Sequence, residues 1–306
     1  MPPRTAPDAP FGRMLTAMIT PMNADGSMDY DGAARLAAHL VDEMRNDGLV
    51  INGTTGESPT TSPDENQRLL KSVLDAVGDR ASVVMGVGSN DTAHAIANAR
   101  AAEGIGAHGA LVVTPYYNKP PQEGLLRHFT MVADAAGLPV MLYDIPGRTG
   151  TAIATETLLR LAEHPRILAV KDAKSDLGAT SRVINESDLV VYSGEDMLNL
   201  PLLSIGAAGF VSVVGHVVGA RLAEMIEAYR AGDVARAARI HRDVLPVYLS
   251  NSRTQGVMFV KAVLNLLGLP AGPVRPPLVD APADLVAQIR DDLAGTDVKL
   301  PEGTHA

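Results

Sequence analysis

Between residues 14 and 230, short apolar runs alternate with helically spaced stretches, giving eight units in about 220 residues. The runs at 14–22, 48–52, 82–87, 110–113, 139–145, 167–170, 189–192 and 210–214 are read as strands. Helices are expected at 29–46, from Ser62 onward, at about 91–103, 122–136 and 154–163, in a segment broken by Pro201, and at 221–230. Near-continuous apolar strands separated by helices indicate a parallel sheet covered on both faces. Eight such units predict an α/β fold, a TIM (β/α)8 barrel closing after the eighth strand. An open doubly wound sheet is the rival on pattern alone. Ser62-Pro63-Asp64-Glu65 predicts a capping box with proline at the first helical position.

Past Gly232-Asp233 the strand pattern stops, and helices are expected at 235–248, 254–267 and 282–293. The organisation expected is a disordered N-terminal tail (1–12), a barrel catalytic domain (13–232) and a small C-terminal helical domain (233–306). The proline-rich opening MPPRTAPDAP has no apolar core and reads as neither signal peptide nor anchor. The longest apolar stretch, around 210–218, is too short to span a bilayer. A cytoplasmic protein is expected.

Composition narrows the chemistry. The 306 residues carry a net charge of −9, which argues against nucleic acid or an anionic membrane as partner, though not against small anionic substrates. Without cysteine there are no disulfides, thiolate nucleophiles or cysteine metal sites. The eight histidines show no ligand spacing, so no metal is expected. Gly104-Ile105-Gly106-Ala107-His108-Gly109 fits a dinucleotide fingerprint but follows a helix and precedes a strand, the wrong order.

In a TIM barrel, chemistry collects on the loops after the strands. The sixth strand delivers Lys171 to that end, in ILAVKDAK. A lysine there also fits a solvated side chain. Held among apolar walls, its amine loses hydration and its pKa falls, so that the neutral form attacks a carbonyl. Other strand ends offer Thr54 and Thr55 in GTTGES, Tyr116 and Tyr117 in TPYYNKP, Tyr143 and Arg148 in YDIPGRTG, and Gly194 in SGED. Each alone fits a turn, a packed ring or a solvated charge. Together they place an amine, phenols, hydroxyls and a guanidinium on one face, the set that imine chemistry on an anionic keto acid needs.

GTTGES, TPYYNKP, YDIPGRTG and VKD stand in the order and spacing of the dihydrodipicolinate synthase (4-hydroxy-tetrahydrodipicolinate synthase) family. The chain resembles that family from about residue 14 to 293, within the N-acetylneuraminate lyase superfamily of class I aldolases. The resemblance implies condensation of pyruvate with L-aspartate 4-semialdehyde, on the diaminopimelate route to lysine. Lys171 matches the Schiff-base lysine and Tyr143 the proton donor and acceptor. Thr54 and Tyr117 match the rest of a proton relay, with Tyr117 reaching in from a neighbouring subunit. Thr55 matches a pyruvate-binding threonine, Gly194 and Val211 border the pyruvate site, and Arg148 receives the carboxylate of the second substrate. The superfamily's sialic acid lyases generally have Ser-Thr in place of Thr54-Thr55 and lack such an arginine.

The resemblance further implies a homo-oligomer, a tetramer built from tight dimers, and no cofactor, because the lysine imine itself is the electron sink. Lysine-responsive members bind the inhibitor at the dimer interface through a glutamate and histidines. Those positions here hold His94, Pro63 and Asn66, while Ser58, Asn90 and Tyr116 remain. A sister aldolase or dehydratase on the same lysine, or a silent pyruvate-binding paralogue, stays open at this point.

Overall fold

The computed structural model describes residues 9–300. Eight parallel strands close into a barrel in chain order: β1 (Met14–Ala17), β2 (Gly48–Ile51), β3 (Ser82–Gly86), β4 (Gly109–Val113), β5 (Val140–Asp144), β6 (Ile167–Asp172), β7 (Val190–Ser193) and β8 (Gly209–Ser212). β8 pairs back onto β1 through Leu15 and Val211, so no edge is left open. The outer ring is α1 (Tyr30–Asp42), α2 (Pro63–Val77), α3 (Thr92–Ile105), α4 (Gln122–Ala135), the single turn α5 (Pro146–Thr149), α6 (Thr155–Leu161), α7 (Leu177–Glu186), α8 (Asn199–Ser204) and α9 (Gly215–Arg230). The chain ends in α10 (Val234–Asn251), α11 (Gly256–Leu266) and α12 (Ala283–Leu293), the C-terminal helical part. The TIM barrel expectation holds, and the open sheet is excluded by closure.

Strand alternation sorts the core into two shells. Outward residues such as Val140 and Leu142 pack under the helices, while Met141, Tyr143, Ala169, Tyr192 and Val211 fill the barrel. Ser62 caps α2 as expected: its hydroxyl accepts from Glu65 N–H at 3.3 Å, and the Glu65 carboxylate accepts from Ser62 N–H at 2.8 Å.

Four differences have physical causes. α7 has no counterpart among the helices read from spacing. Its buried side chains are Thr180 and Val183, so its inner face is half polar and carries few apolar residues to read. β1 is short, because beyond Ala17 the chain leaves the sheet while remaining buried: Ile19 N–H donates to His216 Nε2 at 3.0 Å. β6 extends two residues further than expected and takes in Lys171 and Asp172. The expected tail also ends earlier than residue 12. Phe11 is buried inside the barrel, and Tyr192 Oη donates to Gly12 O at 2.9 Å. Residues 1–8 of that tail, and 301–306 of the C-terminal domain, lie outside the described residues.

Candidate active site

Lys171 and Tyr143 are register partners on β6 and β5, so alternation turns both side chains into the barrel together. Lys171 is 3% exposed, and its ammonium lies 4.3 Å from the centroid of the Tyr143 ring. Burial lowers the Lys171 pKa to about 8; Asp196 opposes that fall, Arg148 deepens it and Glu195 opposes it again. About a tenth of the amine is therefore neutral at pH 7. Burial pushes the Tyr143 phenol up to about 12, so it stays protonated and available as a donor.

These two groups open into a cavity of about 240 Å³ at the C-terminal ends of the strands. Thr54, Thr55, Arg148 and Gly194 share its walls with them. The GTTGES loop presents the threonines through a tight chain of turns. Gly56 N–H donates to Gly53 O at 3.0 Å, Glu57 N–H to Thr54 O at 3.1 Å, and Thr20 Oγ1 to Gly56 O at 2.8 Å. Glu57 adopts a left-handed backbone, φ 59°, and is held from the C-terminal helical part. Its carboxylate lies 2.6 Å from Lys261 Nζ and accepts from Arg275 N–H at 2.7 Å. A buried ion pair with this geometry fixes conformation more surely than it adds stability. Arg148 sits on the α5 turn, exposed at the cavity rim.

Two of the expected residues are not on this wall. Tyr117 is 90% exposed, with a left-handed φ of 74°, and is not among the residues lining the cavity of its own chain. Val211 is fully buried in the barrel interior, and Val213 lines the cavity in its place. Sequence reasoning also stopped one residue short at SGED. Glu195 lines the cavity, its carboxyl raised by burial and by the neighbouring Asp196. Asp196 accepts from Ser212 Oγ at 2.5 Å, Val213 N–H at 3.0 Å and Val214 N–H at 3.1 Å, pinning the turn after β8. The available signal was the pair of carboxylates, Glu195-Asp196, directly after a strand-end glycine. A larger depression of about 740 Å³ lies at the other end of the strands, around Arg13, Asp47 and Arg230. No lysine, hydroxyl or imidazole lines it, so the smaller cavity is the one equipped for chemistry.

The dihydrodipicolinate synthetase family model matches residues 10–295. The chain is 63% identical over 300 residues to 4-hydroxy-tetrahydrodipicolinate synthase 2 of Streptomyces coelicolor, covering 98% of this chain and 100% of the relative. It is 65% identical over 286 residues to the 4-hydroxy-tetrahydrodipicolinate synthase of Acidothermus cellulolyticus, covering 94% and 92%. Among solved structures, the fold superimposes on dihydrodipicolinate synthase from Aquifex aeolicus with a TM-score of 0.92 at 32% identity, over 95% of this chain and 100% of that one. The lysine-bound enzyme from Cyanidioschyzon merolae gives 0.91 at 41% identity, over 94% and 98%.

Proposed function

The chain belongs to the dihydrodipicolinate synthetase family, and on that footing we propose that it condenses pyruvate with L-aspartate 4-semialdehyde through an imine on Lys171. The observation that carries this reading is the buried Lys171 amine beside the Tyr143 phenol, at the mouth of a barrel whose rim carries Arg148.

Neutral Lys171 Nζ adds to the pyruvate ketone, and the carbinolamine loses its hydroxyl as water, leaving the imine. Tyr143, with Thr54 and a neighbouring subunit's Tyr117, moves the protons this needs. The imine withdraws electrons, so the methyl carbon loses a proton and becomes an enamine. That carbon attacks the aldehyde of the second substrate, whose carboxylate pairs with Arg148 and is thereby oriented. The substrate's own amine then adds at the imine carbon, releases Lys171 and closes the ring. Thr55 and the Gly194 backbone seat the pyruvate carboxylate, and Val211 supports that seat from the interior. No cofactor enters, because the protonated imine is the electron sink.

An exposed tyrosine in left-handed backbone geometry supports an active unit of at least two chains, with the tetramer as the proposed state. No helix among the described residues is long and apolar enough to cross a membrane. The deciding experiment is borohydride reduction with pyruvate, followed by peptide mapping and a coupled assay with aspartate semialdehyde. Label on Lys171 and turnover are expected; label on Lys174 or Lys119 instead, or none, overturns the reading.

A further inference from the structure

Directly after the Tyr143–Lys171 pair, the next register partners on β5 and β6 are Asp144 and Asp172. Alternation turns these two outward, away from the cavity, and both are buried. The ammonium of Lys174, itself 8% exposed, lies 3.6 Å from Asp144 Oδ2 and 3.6 Å from Asp172 Oδ2. Two carboxylates thus share one cation in a dry site.

Their other partners are unequal. Asp172 also accepts from Lys174 N–H at 3.0 Å and from Thr180 Oγ1 at 2.5 Å. Asp144 Oδ1 accepts one hydrogen bond, from Ile153 N–H at 3.1 Å, and its Oδ2 has only the long ion pair with Lys174. Ile153 closes the segment 145–153, which starts from Asp144 and carries Arg148 on its α5 turn. Asp144 therefore holds that segment at both ends, by the chain at one and by its carboxylate at the other.

We propose that Lys174 is a positioning residue for the second substrate: it holds the Asp144 carboxylate in place, and through the Asp144–Ile153 bond it sets where Arg148 stands on the cavity rim. This rests on the reading of Arg148 as the carboxylate receptor. Burial raises the Asp144 carboxyl to about 6, and Lys174 works against that rise. Without the ammonium, two buried carboxylates face each other across adjacent strands, and one must protonate or move. Asp172 keeps two hydrogen bonds and Asp144 has one, so the Asp144 carboxylate gives way first; its segment then keeps at that end the bond from Gln122 Nε2 to Ala152 O, 2.9 Å, and loses the one that reaches β5.

The test separates the two substrates. K174M is expected to raise KM for aspartate semialdehyde at least tenfold, while the rate of borohydride-trapped imine formation with pyruvate stays within threefold. In K174M/D144N the amide oxygen still accepts from Ile153, and the one carboxylate left, Asp172, keeps its bonds from the residue-174 N–H and Thr180 Oγ1 with no second carboxylate facing it, so most of the lost KM should return. A purely structural cluster would lower stability and both substrates' rates together, with no split and no recovery, and that result overturns the proposal. Should K174M fail to fold, D144A against D144N decides with Lys174 intact. The alanine variant should raise the semialdehyde KM at least tenfold over the asparagine one, and equal values overturn the proposal. Wild-type enzyme that forms the imine but never turns over aspartate semialdehyde overturns the functional reading instead.

Discussion

Gly194 leaves the space that Lys171 occupies. A Cβ at residue 194 would stand 2.8 Å from Lys171 Cγ, 3.0 Å from its Cε and 3.2 Å from Ala173 Cβ. Two of those three contacts are with a flexible chain, so in Gly194→Ala the lysine moves and the sheet stays. A displacement near 1 Å at a nucleophile costs up to about 100-fold. Gly194→Ala is expected to slow imine formation with pyruvate by about 10- to 100-fold, with a stability loss of about 1–2 kcal/mol. Trapping rates together with Tm check it, and wild-type rates would show that Gly194 does not fix the lysine.

The burial that shapes Lys171 also sets a pH profile. Its folded pKa is lowered to about 8, and only the neutral amine attacks. Imine formation should therefore rise about tenfold per pH unit below 8 and level off above it. Tyr143, at about 12, titrates beyond the working range and adds no falling limb before pH 10. A rate still climbing steeply between pH 9 and 10 would mean an unperturbed lysine.

Arg148→Ala should spare that same trapping and damage the second step. Losing a charge-assisted pair between the substrate carboxylate and a guanidinium on the rim costs roughly 1.5–3 kcal/mol, or about 10- to 150-fold in kcat/KM for aspartate semialdehyde. Steady-state kinetics with each substrate varied in turn provide the check; an unchanged constant for the semialdehyde removes Arg148 from the site.

Tyr117 makes a different kind of prediction, because it is exposed and lines no part of its own chain's cavity. Tyr117→Phe and Lys171→Ala subunits should each be weak alone. After demonstrated subunit exchange, a mixed pair should regain one site that combines an intact Lys171 with the other chain's Tyr117. Activity that fails to return would mean that Tyr117 acts within its own chain.

What was legible in the sequence follows from what each signal depends on. The barrel was readable because strands buried on both faces are apolar throughout, and their alternation with helices survives ragged boundaries. Lys171, Tyr143, Thr54, Thr55, Arg148 and Gly194 were readable as strand-end residues, because the fold sends every strand end to one face. α7 was hidden because Thr180 spends its buried face on Asp172. The Asp144–Asp172–Lys174 cluster was hidden because it exists only once β5 and β6 are in register. Phe11 belongs to the same class: a lone aromatic in a proline-rich opening acquires meaning only when Gly109, opposite it, leaves room for its ring.

Lysine feedback should be weak or absent, although the proposed pathway alone would lead one to expect it. Ser58, Pro63, Asn66, His94 and Tyr116 line one cavity of about 350 Å³, and no carboxylate is among the residues of its wall. A free lysine brings an α-ammonium and an ε-ammonium, and both favour anionic partners. Glu57 and Glu65 adjoin Ser58 and Asn66 in sequence, but Glu57 is buried and committed to Lys261 and Arg275, and Glu65 is paired with Arg275. The resemblance matches His94 to the glutamate of lysine-responsive members, and its ring lies 3.2 Å from the carboxylate of Asp91, the residue that caps α3. Losing one charge-assisted contact costs on the order of 1.5–3 kcal/mol, or about 10- to 150-fold in affinity. Initial rates with lysine titrated through the millimolar range test this, and half-inhibition well below about 1 mM would prove it wrong. The gain-of-function arm is sharper: His94→Glu restores a carboxylate to that wall and should lower the half-inhibiting concentration about tenfold or more. If His94→Glu leaves the response to lysine unchanged, the missing charge is not what sets it.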